Sequence, residues 1–273
     1  MCENVNNTQK QKVLKGRSKA LSFMKKNTKL SLLQKKILPG ILLGDAHLST
    51  QDKGKTYRLH VYQSVKHQQY VFHLYEIFKE WCLSPPTVIH RVYTSGVCKQ
   101  KQASMISFKT ISSASFRFYA HNFMTTISNG SSIENGFSCG VLLALVKNKN
   151  TKQRQNIQEL RKKVPKLIHR WLTPISLAYW YMDDGSIKDK KSKSVYFHTQ
   201  GFCFNPIKLL CEVLQSKFKL LFKPVKKREK YQIYISGKSY KTLKTLIYPY
   251  LINPMLYKFP ESKSFPLPLK MVG

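Results

Sequence analysis

Acidic residues are scarce in this chain of 273 residues, which has 13 aspartates and glutamates against 47 lysines and arginines. The formal net charge of +34 at pH 7 opposes self-association and attracts polyanions. The basic residues are spread over the whole length instead of forming one amphipathic helix, which argues against a membrane-surface protein. A basic excess that pervades a folded chain is typical of nucleic-acid-binding proteins, so nucleic acid is the expected partner.

Cysteine pairs and long hydrophobic runs are missing as well. The six cysteines form no Cys-x-x-Cys pair, so neither a zinc site nor a disulfide framework is expected. The longest apolar stretches, Ile37–Leu43 and Val141–Val146, are too short to cross a bilayer, and no membrane partner is expected. The richness in lysine, asparagine, serine and isoleucine indicates an AT-rich genome, which fits a mitochondrion or a chloroplast.

Three of the five aspartates lie at the ends of two apolar segments with helical character, Leu38–Ala46 and Leu177–Gly185. A carboxylate at the edge of an apolar run loses hydration, which costs free energy unless a cation or hydrogen-bond donors compensate. Because acidic side chains are disfavoured at helix C-termini, Asp45 and Asp184 are expected to bind a cation. For Asp183, a role at the helix end or in support of its neighbours stays as open as direct ligation.

The two halves of the chain repeat one order of predicted elements, with helices indicated by apolar residues at helical spacing and strands by alternation. The first half predicts a helix from residue 31 to the first aspartate, a strand over 56–63, a helix over 68–81, strands near 88–92 and 105–109, and a helix near 114–124. The second half predicts a helix that begins at Thr173 and Pro174, a strand over 195–200, a helix over 206–218, strands over 223–227 and 231–236, and a helix over 239–250. This shared order indicates an internal duplication.

Two further features repeat with the elements. A glutamine ends the first strand after each aspartate segment, at Gln63 and Gln200, and a Lys-x-Pro tripeptide closes each half, beginning at Lys163 and Lys258. The pattern divides the chain into a basic flexible arm over 1–30, a first unit over 31–128, a linker over 129–162 and a second unit over 163–273.

Alternation along the predicted strands gives each unit one polar face. In the first unit, basic and aromatic side chains lie opposite the apolar residues of the strand over 56–63, and the strand over 195–200 repeats this arrangement. A curved antiparallel sheet with such a face fits the DNA major groove, and two units cover roughly 20 bp. The predicted DNA-contacting residues are Arg58, His60, Tyr62, Tyr196, His198, Lys223, Lys226 and Lys227.

The aspartates, lysines and glutamines together suggest phosphodiester hydrolysis. Asp45 and Asp184 would hold a divalent metal against a phosphate, and Mg²⁺ is expected, with Mn²⁺ able to substitute, because Mg²⁺ is often bound by one or two carboxylates plus phosphate oxygens. The metal would polarise the scissile phosphate and activate water. A lysine would offset charge in the transition state, and a glutamine would orient the water. The residues predicted for these two roles are Lys163, Lys258, Gln63 and Gln200.

Both apolar segments resemble the paired LAGLIDADG motifs of homing endonucleases, because each keeps the acidic eighth position, at Asp45 and Asp184. The longer strings over 172–185 and 255–260 resemble the monomeric intron-encoded omega-nuclease type in particular. The resemblance runs from about Ser31 to Pro260. It implies an α+β fold of two pseudo-symmetric αββαββα units, with the motif helices paired at the interface and the two antiparallel sheets forming a DNA-binding saddle.

The resemblance also implies an activity and a set of residue roles. A monomer of this type makes a Mg²⁺-dependent double-strand break across the minor groove of a long DNA target, leaving 3′ overhangs, which leads to intron homing. Asp45 and Asp184 carry over as metal ligands, Lys163 and Lys258 as the basic pair, and Gln63 and Gln200 as auxiliary polar groups. Two departures from the family pattern are Pro39, which marks either a kink or the start of the first helix, and the length of the linker.

Two alternatives belong to other functional classes. One is an RNA maturase that binds its host group I intron RNA without cutting, and the other is a catalytically inactive DNA-binding protein. Acidic residues at both motif positions favour the nuclease, because RNA binding does not need paired metal ligands. Metal-dependent cutting separates the three hypotheses, whereas charge and fold do not.

Overall fold

The computed structural model describes residues 19–92 apart from 20 and 26, residues 102–126 and residues 160–260. The first unit contains α1 (Leu32–Leu43), β1 (His47–Ser49), β2 (Arg58–Ser64), α2 (Gln68–Phe78), β3 (Thr87–Val92), β4 (Gln102–Lys109) and α3 (Arg117–Phe123). A two-stranded ribbon of β5 (Met124–Thr126) and β6 (Leu160–Lys162) follows. The second unit contains α4 (Pro174–Asp184), β7 (Gly185–Asp189), β8 (Ser194–Phe197), α5 (Phe204–Phe218), β9 (Phe222–Lys227), β10 (Lys230–Ile235) and α6 (Tyr240–Ile247).

Each unit forms one four-stranded antiparallel sheet, and the two sheets have the same strand order. The order is β1-β2-β4-β3 in the first sheet and β7-β8-β10-β9 in the second. Together with the helices, both units therefore have the predicted αββαββα arrangement, which confirms the α+β fold. Strands β1 and β7 were not among the sequence predictions. The three residues of β1 give no readable alternation, and the five of β7 include only one apolar residue.

The helices α1 and α4 pack against each other at the centre of the molecule. Each begins with a capping box, in which Ser31 pairs with Gln34 in α1 and Thr173 pairs with Ser176 in α4. The predicted start of α4 at Thr173 is thereby confirmed. The close packing depends on Gly40, because a Cβ there would overlap the Ser176 carbonyl and lie 3.1 Å from the backbone nitrogen of Trp180.

Proline 39 lies inside α1 and does not mark its start. The helix begins at Leu32 and continues past Pro39 to Leu43, and all residues from Ile37 to Leu43 are buried. The missing N–H of Pro39 removes one hydrogen bond within the helix. Burial of this segment against α4 and the first sheet provides the compensating stabilisation.

The predicted segment boundaries stay predictions, and most of the predicted arm and linker lies outside the described residues. The last three residues of the predicted linker, Leu160–Lys162, form β6 and pair with β5 of the first unit. None of the described helices is both long enough and apolar enough to span a membrane.

Candidate active site

The three motif aspartates meet where α1 and α4 end. Asp45 follows α1 and is exposed, whereas Asp183 and Asp184 are the last two residues of α4 and are half-buried. The Asp45 N–H donates a hydrogen bond of 3.1 Å to Oδ2 of Asp183. Asp183 therefore links the ends of the two helices across the unit interface, which supports the positioning alternative for this residue.

Burial and mutual repulsion raise the pKa of the two α4 carboxyl groups. Burial, followed by the charges of Asp45 and Asp184, raises the pKa of Asp183 well above its usual range. Burial and the Asp45 charge raise the pKa of Asp184 to about 7, although a hydrogen bond of 3.2 Å from Trp180 Nε1 favours the charged form. The protein groups around the site thus do not compensate the charge of the deprotonated carboxylates, and a bound cation would favour the charged form.

Two lysines hold the carbonyl groups at the helix ends. Lys258 Nζ donates to the Asp183 carbonyl at 2.7 Å and also to the Met182 carbonyl. Lys162 Nζ donates to the Gly44 carbonyl at the end of α1. Burial lowers the pKa of both ammonium groups, and the nearby aspartate charges oppose this shift. Lys162 and Lys258 are therefore equivalent in the two halves of the site.

The predicted partner of Lys258 was Lys163, and the structure brings Lys162 to this position instead. Consecutive side chains in an extended segment point to opposite sides. Because β6 buries Lys162 beside Gly44, the half-buried Lys163 side chain points away, and its backbone N–H bonds to the Phe123 carbonyl at 2.8 Å. The Lys-x-Pro pattern thus selected Lys163, whereas its neighbour Lys162 is the lysine that contacts the end of α1.

The two predicted glutamines also differ in placement. Gln63 Nε2 donates to Oδ2 of Asp45 at 2.7 Å, whereas Gln200 Nε2 bonds to Oε1 of Gln232 at 3.2 Å. The strand register explains the difference. His47 pairs with His60, and the equivalent Ser186 pairs with Tyr196. Gln63 is three residues after His60, and Thr199 is three residues after Tyr196. Thr199 is therefore the counterpart of Gln63, and Gln200 lies one residue beyond that position.

Asp45 and Asp184 line a cleft of about 230 Å³ between the two units. Its lining residues are Leu43, Gly44, Asp45, Tyr62, Lys162, Asp184, His198, Thr199, Gly201 and Phe202. Within the described part of the chain, no three histidine, cysteine or acidic residues are arranged as a complete metal site. A pair of carboxylates with excess negative charge nevertheless fits Mg²⁺, which typically takes one or two carboxylates and completes its shell with phosphate oxygens and water.

Replacement of Asp184 should change the pH dependence of stability. Its pKa is about 7 when folded and 3.8 in the unfolded reference, so the folded chain keeps a proton that the unfolded chain has released. In EDTA, this group should make the free energy of unfolding fall as the pH rises from about 4 to about 7. Asp184→Asn should flatten that slope and raise the stability at pH 8. Urea unfolding at pH 5 and pH 8 measures both effects, and an equal slope in wild type and variant would contradict the assignment.

Arg58, His60 and Tyr62 share the face of the first sheet that lies away from the core, as alternation in β2 predicted. His60 Nε2 is 3.0 Å from Ser49 Oγ, and its ring lies 4.7 Å from the ring of His47, centroid to centroid. Burial and neighbouring positive charges lower the pKa of His60 to about 3 and that of His47 to about 4. Both imidazoles are therefore neutral at pH 7. His47 was missed by sequence reasoning because β1 was not predicted.

The outward face of the second sheet carries a cluster of aromatic and basic groups. Tyr196 and Tyr234 are cross-strand partners with ring centroids 5.7 Å apart. Two exposed lysines lie over the Tyr234 ring, with Nζ of Lys188 at 4.7 Å and Nζ of Lys223 at 5.3 Å from its centroid. Lys227 has the same strand parity as Lys223 and belongs to this face. Sequence reasoning missed Lys188 because it lies on the unpredicted β7.

Two predicted DNA-contacting residues of the second unit, Lys226 and His198, differ from each other in placement. Lys226 has the opposite strand parity to Lys223, so it lies on the other side of β9, and its ammonium group is 4.0 Å from the Glu229 carboxylate. His198 follows the end of β8 and lines the cleft, where its Nε2 is 2.7 Å from Ser186 Oγ. His198 keeps the strand parity of Tyr196, as predicted, and its backbone N–H donates to the Asp184 carbonyl at 2.9 Å.

The duplicated architecture has a counterpart among known protein families. A family model described as the LAGLIDADG DNA endonuclease family matches residues 35–135 and, separately, residues 148–243. The chain belongs to the LAGLIDADG DNA endonuclease family. Each match contains one central helix with its terminal aspartate, so α1 and α4 are the two LAGLIDADG helices, and the resemblance inferred from the motifs is confirmed.

Full-length relatives support the same assignment. The chain is 28% identical over 240 residues to the probable intron-encoded endonuclease 1 of Wickerhamomyces canadensis, with 86% of this chain and 87% of the relative aligned. It is 28% identical over 239 residues to the DNA endonuclease I-ChuI of Chlamydomonas applanata, with 84% and 95% aligned. The solved structure of the homing endonuclease I-WcaI bound to its DNA recognition sequence matches with a TM-score of 0.67 and 27% identity, covering 87% of this chain and 90% of that one.

A maturase is also among the LAGLIDADG relatives. The chain is 26% identical over 252 residues to the cytochrome b mRNA maturase bI2 of Debaryomyces hansenii, with 90% of this chain and 80% of the maturase aligned. Sequence similarity alone therefore does not separate the nuclease hypothesis from the maturase hypothesis.

Proposed function

We propose that this chain is a monomeric, site-specific homing endonuclease that makes a double-strand break in a long DNA target. The observation that carries the proposal is the pair of aspartates at the ends of the two central helices. Asp45 and Asp184 face one cleft, and a buried lysine lies beside each helix end. A maturase or a DNA-binding protein without nuclease activity has no need for a pair of aspartates facing one cleft at the helix ends.

Asp45 and Asp184 would hold divalent cations, with Mg²⁺ the expected ion and Mn²⁺ a substitute. When bound there, the ion would polarise the scissile phosphate and lower the pKa of the attacking water. The protein supplies fixed ligands, because Gln63 restrains the Asp45 carboxylate and the Trp180 indole restrains that of Asp184. We propose that each aspartate serves mainly one DNA strand, in keeping with its origin in one unit.

The outward sheet faces and the positive charge of the chain would bind the DNA. The outward sheet faces, with Arg58 and Tyr62 in one unit and Lys223 and Tyr234 in the other, would lie in the major groove and contact bases and phosphates. The net charge of +34 would make binding steeply dependent on salt. The intron-encoded relatives support an organellar origin, in a mitochondrion or a chloroplast. The amino-acid composition, which is typical of an AT-rich genome, supports the same origin.

Lys162 should be needed for cleavage and Lys163 should not. The Lys162 ammonium is buried at the end of α1 and opposes the negative charge of the site, so Lys162→Met should slow cleavage about 10²-fold, as expected for loss of a preorganised charge. Lys163→Met removes the same charge one residue away and should change the rate less than about twofold. Single-turnover cleavage by both variants measures the difference, and the reverse order of effects would contradict the proposal.

The second candidate is an RNA maturase, which the Debaryomyces hansenii relative favours. A maturase would bind structured intron RNA tightly and would show no dependence on the two carboxylates. The two activities are compatible in one chain, so cutting and RNA binding need separate assays on the same preparation.

The proposed function is tested by selection from a randomised duplex library. The purified chain is incubated with the library in Mg²⁺ and, in parallel, in EDTA, and the cut ends are sequenced. Recovery of one long site that is cut only with Mg²⁺ is the expected result. Absence of cutting, together with tight binding to group I intron RNA, would favour the maturase instead.

A further inference from the structure

A hydrogen-bond relay connects the second unit to the Asp45 carboxylate of the first. The Tyr257 hydroxyl is 3.0 Å from His67 Nε2, and His67 Nδ1 is 3.3 Å from Oε1 of Gln63. The Gln63 amide nitrogen is 2.7 Å from Oδ2 of Asp45 and 3.4 Å from Oδ1 of Asp183. Two side chains, those of His67 and Gln63, thus connect an exposed tyrosine to the aspartates.

The chemistry of the groups fixes the direction of every bond. The Asp45 carboxylate only accepts, so the Gln63 amide turns its NH₂ group toward Asp45, 2.7 Å away. Its Oε1 then faces His67 and can only accept, which requires a proton on Nδ1. In the neutral imidazole Nε2 becomes the acceptor, and the Tyr257 hydroxyl donates to it. If the amide turned over, Gln63 would present its oxygen to the Asp45 carboxylate and its NH₂ group to the Nδ1–H donor of His67.

The relay crosses the interface between the units next to Lys258, the lysine that contacts the end of α4. Tyr257 and Lys258 are neighbours in a short 3₁₀ helix, Asn253–Lys258. Lys258 contacts the Asp183 carbonyl, while Tyr257 reaches across to His67 at the start of α2. Docking of this segment therefore sets both the basic group at the end of α4 and the amide that restrains Asp45.

The arrangement is one-sided within the described part of the chain. The Asp184 carboxylate is restrained by Trp180 of its own helix. Its unit places Thr199 at the position of Gln63, and the Gln200 amide bonds to Gln232. The two halves of the site thus hold their aspartates by different means, and loss of the relay should affect them unequally.

We propose that His67 and Tyr257 are positioning residues that hold the Gln63 amide toward Asp45 and so support cleavage of one DNA strand more than the other. The inference rests on the proposed endonuclease function and adds to it a residue pair outside the motifs. Neither residue touches the reacting atoms, so their effect passes through Gln63.

The test compares strand-specific cleavage by His67→Phe, His67→Asn and Tyr257→Phe on the selected site, with each strand labelled separately. His67→Phe removes the donor to Gln63 and should slow one strand about tenfold, so that a nicked intermediate accumulates. His67→Asn places an NH₂ donor near the position of Nδ1 and should keep the rate within about threefold of wild type. Tyr257→Phe should slow the same strand roughly threefold, because the imidazole stays in place without its second bond.

A second comparison shows whether the effect passes through Gln63. In a Gln63→Ala background, His67→Phe should add less than about a twofold loss, because coupled residues are not additive. His169→Asn and Tyr250→Phe, which change the same residue types away from the relay, serve as controls. Urea unfolding of all variants detects any general loss of stability.

The results separate failure of the relay from failure of the proposed function. If wild type cuts both strands and His67→Phe cuts as fast, or slows both strands alike, the relay proposal is wrong while the endonuclease proposal stands. Lack of recovery in His67→Asn would also contradict the relay. If wild type does not cut any DNA in Mg²⁺, the endonuclease proposal fails and the relay proposal fails with it.

Discussion

Asp45→Asn and Asp184→Asn should each abolish double-strand cleavage while leaving DNA binding intact. Asparagine keeps the size of the side chain and removes the charge that holds the metal. A metal contributes several kcal/mol of transition-state stabilisation, so a loss of about 4 kcal/mol corresponds to roughly 10³-fold in rate. Removing a carboxylate from a surface with a net charge of +34 does not repel phosphate, and binding should be unchanged or slightly tighter. Single-turnover cleavage and gel-shift titration measure the two properties separately.

A matched substitution controls for the change of charge. Glu212→Gln neutralises an exposed acid on α5, which pairs only loosely with Lys208 at 3.9 Å, and it should cut at the wild-type rate. If each aspartate serves mainly one strand, Asp45→Asn and Asp184→Asn should leave nicks in opposite strands. Loss of DNA binding in both variants would instead indicate that the aspartates hold the two units together.

Gly40→Ala should produce the largest loss of stability among single substitutions at the helix interface. An added Cβ would overlap the Ser176 carbonyl, which belongs to the backbone of α4 and has little freedom to move. Overpacking of this kind costs about 2–3 kcal/mol, which lowers Tm by roughly 5–10 °C in a chain of this size. Thermal and urea unfolding in EDTA measure the loss without a contribution from bound metal.

Leu32→Ala is the control for this prediction because it lies on the same helix. Its side chain is 69% exposed, so its removal should change the free energy of unfolding by less than about 0.5 kcal/mol. Cleavage by Gly40→Ala should fall as well, since any shift of α1 against α4 separates Asp45 from Asp184. Wild-type stability in Gly40→Ala would show that the two helices are not packed as closely as described.

The fold was predictable because one pattern occurs twice. Repeated elements around Asp45 and Asp184 indicated a duplication, and the motif resemblance implied that the two central helices pair. These signals are long or specific, so they tolerate small errors in element boundaries. The three-residue β1 was not predictable from alternation, and His47 on the outward face of the sheet was missed with it.

At two positions of the site, the sequence prediction selected the residue next to the one that the structure places there. Lys162 and Lys163 are adjacent and identical in type, and their difference arises from the pairing of β6 with β5 across a long segment of chain. Gln63 lies near the end of β2 and Gln200 follows β8, so the two look equivalent in sequence. The register of β7 with β8 instead makes Thr199 the counterpart of Gln63. Register and strand parity are set by tertiary pairing, and a single sequence does not specify them.

The most direct test of the account is the position of Mn²⁺ in crystals of the chain bound to its selected DNA site, located by anomalous scattering. The account predicts metal within coordination distance of the Asp45 and Asp184 carboxylates and of phosphate oxygens between them. In the Asp45→Asn/Asp184→Asn double variant, that signal should disappear while the DNA stays bound. Metal bound elsewhere, with both carboxylates contacting only protein groups, would contradict the central claim.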